Sequence, residues 1–553
     1  MPVSARYSVQ RAALAIAVLA IAIGIFARFD RLDRKLFFQD EAFSLLRLSG
    51  HTLGDYEKLF DGKVRTAGAI AEVMRVTPQH GLGDAFSSIV REEPQRGPLF
   101  YLAARLWIDA FGESIAAMRA FPAMLGVLGI GLAYLLGARL GRAPPLGIIL
   151  AAFVAVSPFH IRYSQQLREY VLVADLTFLS TWLLLRALDR PGWVRWSSYA
   201  ISLIFSFYAS VELVLLALAH GLFVWVTTRA SGKRPLAQFA LVALAAGLAY
   251  APLVLAELGG RHWAQNGVSW EITAYPLSSF LIKWAFNFGA VFYDHEFAGV
   301  RWAVLLVPVL LIEAYAYVRV LGGAWVDGQI RVLGLALTAA ALIPLVVLDV
   351  ILRARFEAAT RYQVTTWIGA ELVVAGVIAS ALASQESRAR TWSLVALTYL
   401  LACGAFAAFA DRSYVVWWDN NEHISEKAVA AIVSQDRHAL VIADDNDYQS
   451  TEILVLCRYL APSTDVMLFH GPLPNVTVGR EPVYLFLPTA AVRRQLLRGL
   501  DAGLGLKNVS PDIGIDIPDL RPPASAPRTV EPGNALWRVM FAPEHDFLKR
   551  LRS

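Results

Sequence analysis

Charge is scarce in this chain: only 17% of its 553 residues are Asp, Glu, Lys or Arg, while 56% are hydrophobic, and the mean hydropathy is +0.49. A soluble protein of that size needs more polar surface to cover itself, so a water-soluble globular class is excluded. Cysteine is nearly absent. Cys403 lies in an apolar run and Cys457 in the tail, so no disulfide is expected. Also missing are a P-loop glycine pattern, a GxGxxG on a strand–helix turn, an HExxH and a CxxC, which argues against nucleotide-driven transport by this chain alone. The net charge of +5 and pI of 9.1 would suggest nucleic acid in a soluble protein. Here the basic residues sit in short loops between apolar runs, and nucleic acid is not expected as a partner.

What the sequence has in quantity is apolar blocks of roughly 20 residues, about the length a helix needs to cross ~30 Å of hydrocarbon. Spans are predicted at 11–27, 116–138, 145–158, 170–188, 197–209, 212–228, 236–256, 302–320, 332–350, 364–384 and 391–410, about eleven transmembrane helices. No small-x-small cleavage site precedes the charged run Arg28-Phe29-Asp30-Arg31, so an uncleaved first span is expected rather than a signal peptide. Every second loop is basic: Arg6 and Arg11; Arg139 and Arg142; Arg186, Arg190 and Arg195; Arg229, Lys233 and Arg234; Arg319 and Arg331; Arg388 and Arg390. That alternation places the N-terminus in the cytoplasm and, with an odd span count, the tail outside.

The fold class is therefore an α-helical polytopic membrane protein (transmembrane module 1–410, with a long first outer loop at 28–115) carrying an extracytoplasmic α/β domain at 411–553. In that domain helical periodicity at 422–434, 452–460 and 490–500 alternates with strand-like runs at 439–443, 466–469 and 483–487. The proline-rich stretch 518–532 reads as irregular, and no internal repeat is found.

The ionisable residues on the predicted outer side are the candidates for chemistry. In Phe37-Phe38-Gln39-Asp40-Glu41 two carboxylates follow two aromatics just past the first span. A carboxylate at the membrane interface is partly desolvated and becomes a better general base. The structural alternative makes Asp40 the N-cap of a helix over 41–48, with Glu41 in its first turn. The second loop, Ser157 to Tyr170, packs His160, Arg162, Tyr163, Gln165, Arg168 and Glu169 between apolar spans. Outward arginines go against the charge bias and call for an anion, and phosphate suits the guanidinium fork. Internal pairing with Glu169, or lipid headgroups, would serve as well. Arg353, Arg355 and Arg361 with Tyr362, beside Glu357, form a second such cluster, and Glu212 beside Tyr208 stands at a span boundary. The loop 257–301 adds Arg261, His262, Trp263, Lys283, Trp284 and Asp294-His295-Glu296. Its tryptophans read as interfacial belt residues, and three consecutive residues rarely converge on one metal ion. His51 and His80 read as isolated surface histidines.

The order of these features resembles the GT-C superfamily of membrane glycosyltransferases, in the branch of bacterial relatives of protein O-mannosyltransferase and lipid A aminoarabinose transferase (glycosyltransferase family 39-like). The resemblance rests on the Asp40-Glu41 pair after the first span, Gly97-Pro98-Leu99-Phe100-Tyr101 late in the first loop, and Phe111-Gly112-Glu113-Ser114 through Pro122. It extends to Ser157 through Tyr170 and to Arg361-Tyr362, covering about residues 10–380. Arg96-Gly97-Pro98 stands where the family has His-Pro-Pro, and Gln166 where it has Glu. The resemblance implies a polyprenyl-phosphate sugar donor and an inverting transfer to an acceptor hydroxyl (of a glycan, lipid or protein), while the prevalence of Arg over Lys and the lack of an expected disulfide fit a bacterial inner membrane. Asp40 would match the catalytic base and Glu41 would orient the acceptor or a divalent cation; no metal-ligand set is read. Arg168, with Arg162 or Arg361 and Tyr362, would hold the leaving phosphate, with Tyr163, Gln165, Glu169, Tyr208 and Glu212 as further donor or acceptor contacts. Two other classes stay open: a flippase for lipid-linked sugars, which should show inverted repeats and mid-span charges, and a non-catalytic envelope scaffold.

Overall fold

The computed structural model describes residues 3–141, 145–229, 232–259, 277–294, 300–323, 326–352, 360–412, 425–445, 450–472, 482–492, 495, 504–508 and 536–541. The chain forms two compact units, one of residues 1–32 and 89–414 and one of 33–88 and 415–553.

The first unit is helical. Each predicted span falls on a helix, and among the described residues eight helices are long and apolar enough to cross a membrane. They are Ser8–Phe29, Ile115–Leu140, Tyr170–Asp189, Arg234–Gly259, Trp302–Leu321, Gly328–Ile351, Thr360–Ala383 and Ser387–Asp411. Pro145–Val156 and Leu213–Thr228 are apolar but shorter, and Trp193–Ala209 carries a more polar first turn. The helix Val364–Ala383 is buried along nearly its whole length. Small residues let it sit there. A Cβ on Gly369 would stand 2.5 Å from the backbone nitrogen of Thr338, so only glycine admits the neighbouring helix Gly328–Leu352 at that distance.

Buried polar side chains tie the helix ends together. The fully buried Arg28 donates from Nη1 to the carbonyls of Gly24 (2.9 Å) and Ala155 (2.6 Å), and from Nη2 to that of Val154 (2.8 Å). It thereby satisfies the orphan carbonyls that close the helix Pro145–Val156. Nearer the surface, Arg139 forms an ion pair with Asp189. Glu313 is different: it is buried in Leu306–Leu321, and neither carboxylate oxygen has a hydrogen-bond partner. Glu313→Met is expected to raise the stability of the detergent-solubilised protein by about 1–3 kcal/mol, the cost of a buried unsatisfied group. A thermal-unfolding series measures it, and a lower midpoint would show that Glu313 has a partner worth keeping.

The second unit holds a six-stranded sheet, β1 (Asp61–Thr66), β2 (Leu440–Asp444), β3 (Asp465–Phe469), β4 (Val483–Phe486), β5 (Leu504–Asn508) and β6 (Leu536–Phe541), in the order β1-β3-β2-β4-β6-β5. The parallel centre β3-β2-β4 is buried on both faces, as its unbroken apolar runs require. Three strands and two helices predicted in the tail, observed as Ser425–Val433 and Ser450–Tyr459, agree with the sequence to within a few residues. The rest of 490–500 beyond 492 and 495, and all of 518–532, lie outside the described residues. β1 comes from the first loop and pairs antiparallel with β3, Val64 opposite Met467. Phe37 and Phe38 are core residues here, with the Phe37 amide donating to the Tyr459 hydroxyl at 2.8 Å. Cys403 and Cys457 are free and lie in different units.

His51 and His80 are not isolated. Their ring centroids are 4.5 Å apart, and His51 Nδ1 is 3.2 Å from Ser49 Oγ. Burial and then His80 lower the His51 pKa from 6.5, against Asp55, Glu72 and a backbone bond at Val73. A histidine whose folded pKa is depressed contributes stability that is complete above its unfolded value and lost as pH falls through it. The thermal midpoint of this unit's transition is therefore expected to drop between pH 7.5 and 5.5, and His51→Gln should flatten that dependence. An equal drop in the variant would assign it to other groups.

Candidate functional site

The loop between Pro145–Val156 and Tyr170–Asp189, whose polar residues the sequence packs between apolar spans, is buried throughout. Ser157 caps a short helix, Pro158–Tyr163, by accepting from the His160 amide at 3.4 Å, with Pro158 in the first position. His160 Nε2 lies 3.2 Å from Glu371 Oε2. The Tyr163 hydroxyl is 3.2 Å from Thr360 Oγ1, and Trp367 Nε1 donates to the Thr360 carbonyl at 3.1 Å. These contacts bring the turn Thr360–Gln363, with Arg361 and Tyr362, up to the loop. The Tyr170 phenol lies within electrostatic reach of Arg361, Glu169 and Arg96.

Glu169 is the hub. It accepts from the Tyr101 hydroxyl at 2.8 Å, stands 3.5 Å from Arg168 Nε, and lies 3.9 Å from Arg96 Nη1. Arg96 also pairs with Glu93 at 2.7 Å. Burial pushes the Glu169 carboxyl above its usual range, against the pull of Arg96. Arg168 Nη2 reaches the Tyr170 hydroxyl at 3.4 Å. Gln165 uses Nε2 on the terminal carbonyls of the first helix, Ala27 at 2.7 Å and Arg28 at 3.3 Å. Gly97 adopts φ +65°, and a Cβ there would stand 2.4 Å from the Tyr208 carbonyl. Val211 donates to the Gln95 carbonyl at 3.2 Å. Tyr208 and Glu212 therefore belong to a turn seated against Gln95–Gly97, and the Tyr208 hydroxyl donates to the Ala249 carbonyl at 2.9 Å.

Asp40 and Glu41 lie in the second unit, in the first turn of the helix Gln39–Leu48. The N-cap is Phe38, with no side-chain cap bond, so the alternative reading of Asp40 as the cap is overturned. Asp40 is half-buried and Glu41 buried. Arg353, Arg355, Glu357, Arg261, His262, Trp263, His295 and Glu296 lie outside the described residues. Among the described residues no group of three or more His, Cys, Asp or Glu is arranged to hold a metal. Asp175, Glu313 and Glu371 are buried within span-forming helices.

Sequence reasoning missed Arg96, Tyr101 and Glu93 as partners of the loop, and the pairing of His160 with Glu371. Arg96 carried a signal, since it departs from the pattern that its neighbours resemble; Glu371 carried none beyond being a carboxylate in an apolar run.

Solved structures similar to this chain include ArnT from Cupriavidus metallidurans in the apo state, with TM-score 0.51, 12% identity, and 88% of this chain and 94% of that one covered. The same protein bound to undecaprenyl phosphate aligns with TM-score 0.47 and 13% identity, over 88% and 95% of the two chains. No protein-family profile and no curated protein matches the sequence. The chain has a GT-C-like membrane fold with a small sheet in its C-terminal region.

Proposed function

We propose that this protein is an inverting glycosyltransferase that moves a sugar from a polyprenyl-phosphate donor to an acceptor hydroxyl at the outer face of a bacterial inner membrane, with its N-terminus cytoplasmic and its tail domain outside. The observation that carries this reading is the buried arginine loop. Arg162 and Arg168 are 3% and 1% exposed. Arg96 and Arg361, both half-buried, lie on the adjoining turns. Four guanidinium groups gathered at the end of membrane-spanning helices, two of them buried, suit an anion carried by a lipid.

In this reading Asp40 takes the proton of the acceptor hydroxyl as its oxygen attacks the anomeric carbon. The bond from that carbon to the phosphate oxygen breaks, and the lipid phosphate leaves with the electron pair. Arg168, with Arg162, Arg361 and Tyr362, receives the charge, which is the larger catalytic effect. Tyr163 and Gln165 hold the loop in place, and Glu169, Tyr208 and Glu212 border the donor. The test is transfer of radiolabelled sugar from a panel of polyprenyl-phosphate sugars in membranes containing the wild type or Asp40→Asn. Donor consumption by the wild type alone supports the reading. Consumption by neither, with acceptor supplied, removes it.

The buried acids Glu313 and Glu371 favour a second reading as a flippase, because mid-span charges are what such a protein uses. Movement of the labelled lipid across the membrane without sugar transfer would select it.

A further inference from the structure

Two glutamine side chains in the loop region lack partners that their burial demands. Gln363, fully buried, has no hydrogen-bond partner at either Nε2 or Oε1, and Gln166, 3% exposed, has none at Nε2. Buried amides are almost always bonded, so each exception calls for an explanation. Both lie close in sequence to the proposed phosphate ligands. Gln363 is two residues after Arg361 in the turn Thr360–Gln363, and Gln166 is two residues before Arg168. The Tyr163–Thr360 bond joins the two segments.

A carboxamide offers one acceptor and two donors without charge, which matches the hydroxyls of a sugar. The charges of the loop point the same way. Of the carboxylates around the loop, Glu169 is already engaged by Tyr101, Arg168 and Arg96, Glu93 by Arg96 and Glu371 by His160. A cationic amino sugar would meet guanidinium groups there.

Resting on the lipid-phosphate reading above, we infer that Gln363 and Gln166 are specificity-determining residues that bind hydroxyls of an uncharged sugar next to the donor phosphate, and that the site discriminates against a sugar bearing an ammonium group.

Three probes test this on the full chain in detergent: decaprenyl phosphate without a sugar, decaprenyl-phosphate hexose, and decaprenyl-phosphate amino-sugar. The wild type is expected to bind the hexose lipid at least tenfold tighter than the amino-sugar lipid. Gln363→Leu and Gln166→Leu should each weaken hexose-lipid binding about tenfold, one hydrogen bond's worth, and leave the sugar-free lipid phosphate unaffected. Leucine of similar size replaces an unpaired amide, so the melting temperature should hold or rise. A structural glutamine would instead lower melting and weaken every probe together, and that result overturns the inference. So does an amino-sugar lipid that binds as well as the hexose lipid, or a hexose lipid that the leucine variants bind unchanged. If the wild type does not bind even the sugar-free lipid phosphate, the lipid-phosphate reading itself falls, and the role of the glutamines with it.

Discussion

Asp40→Asn is expected to lower sugar transfer by about a hundred- to ten-thousand-fold, the range for loss of a positioned general base, while binding of the lipid phosphate stays at the wild-type level. Asp40 stands in the first turn of Gln39–Leu48 and the cap position belongs to Phe38, so the carboxylate closes no helix end. Removing its charge forfeits the favourable interaction with the helix dipole, about 0.3–1 kcal/mol, far less than the several kcal/mol that the rate loss represents. The bond that the Ser44 hydroxyl donates to the Asp40 backbone carbonyl at 2.9 Å is untouched by the exchange. Initial rates in membranes, normalised to the folded protein, report the effect, with the melting temperature as control. A variant that transfers at the wild-type rate would move the base elsewhere. A variant that loses both transfer and melting temperature would make Asp40 a structural residue of the second unit.

The helices were legible because lipid and close packing both demand long apolar runs, and the sequence has them. The apolar helices Pro145–Val156 and Leu213–Thr228 show where composition stops being decisive: at 12 and 16 residues they share the hydropathy of spans but not the length. The second unit was legible only in its centre. β2, β3 and β4 are apolar on both faces and announce themselves. β1 reads Asp-Gly-Lys-Val-Arg-Thr, an edge strand with a polar and exposed face. It has strand geometry because β3, about 400 residues later, offers it a ladder. No local pattern encodes that pairing, so 28–115 reads as a loop in sequence although residues 33–88 fold with the tail.

At the candidate site the residue types were readable and the wiring was not. An arginine pair in an outward loop signals an anion by its charge alone. Where the pair is buried, each guanidinium must be bonded rather than solvated. Glu169 was readable as a carboxylate, but its engagement by Tyr101 and Arg96 depends on the helix Pro98–Phe111 folding against the loop. Gln363 carries no sequence signal at all; only its missing partners distinguish it.

Arg168→Gln is expected to weaken binding of the lipid phosphate about ten- to a hundredfold, the worth of one charge-assisted hydrogen bond, and to lower kcat by roughly a hundred- to a thousandfold if the guanidinium stabilises the leaving phosphate. Arg168→Lys keeps the charge and loses the fork, so it should fall between. The single substitution has a second effect. Arg168 is 1% exposed and stands 3.5 Å from Glu169. Its removal leaves a buried carboxylate held by Tyr101 at 2.8 Å and by Arg96 at 3.9 Å, and breaking one side of a buried pair costs about 3–5 kcal/mol. Melting temperature and affinity would then fall together and hide the cause. The double variant Arg168→Gln, Glu169→Gln separates them. Both charges leave, so stability should recover most of its loss, because a buried ion pair is worth little against a neutral replacement. Affinity for the lipid phosphate should stay low, because the group that binds it is still missing. If affinity and turnover recover along with stability, Arg168 serves only Glu169, and the phosphate must be held by other arginines.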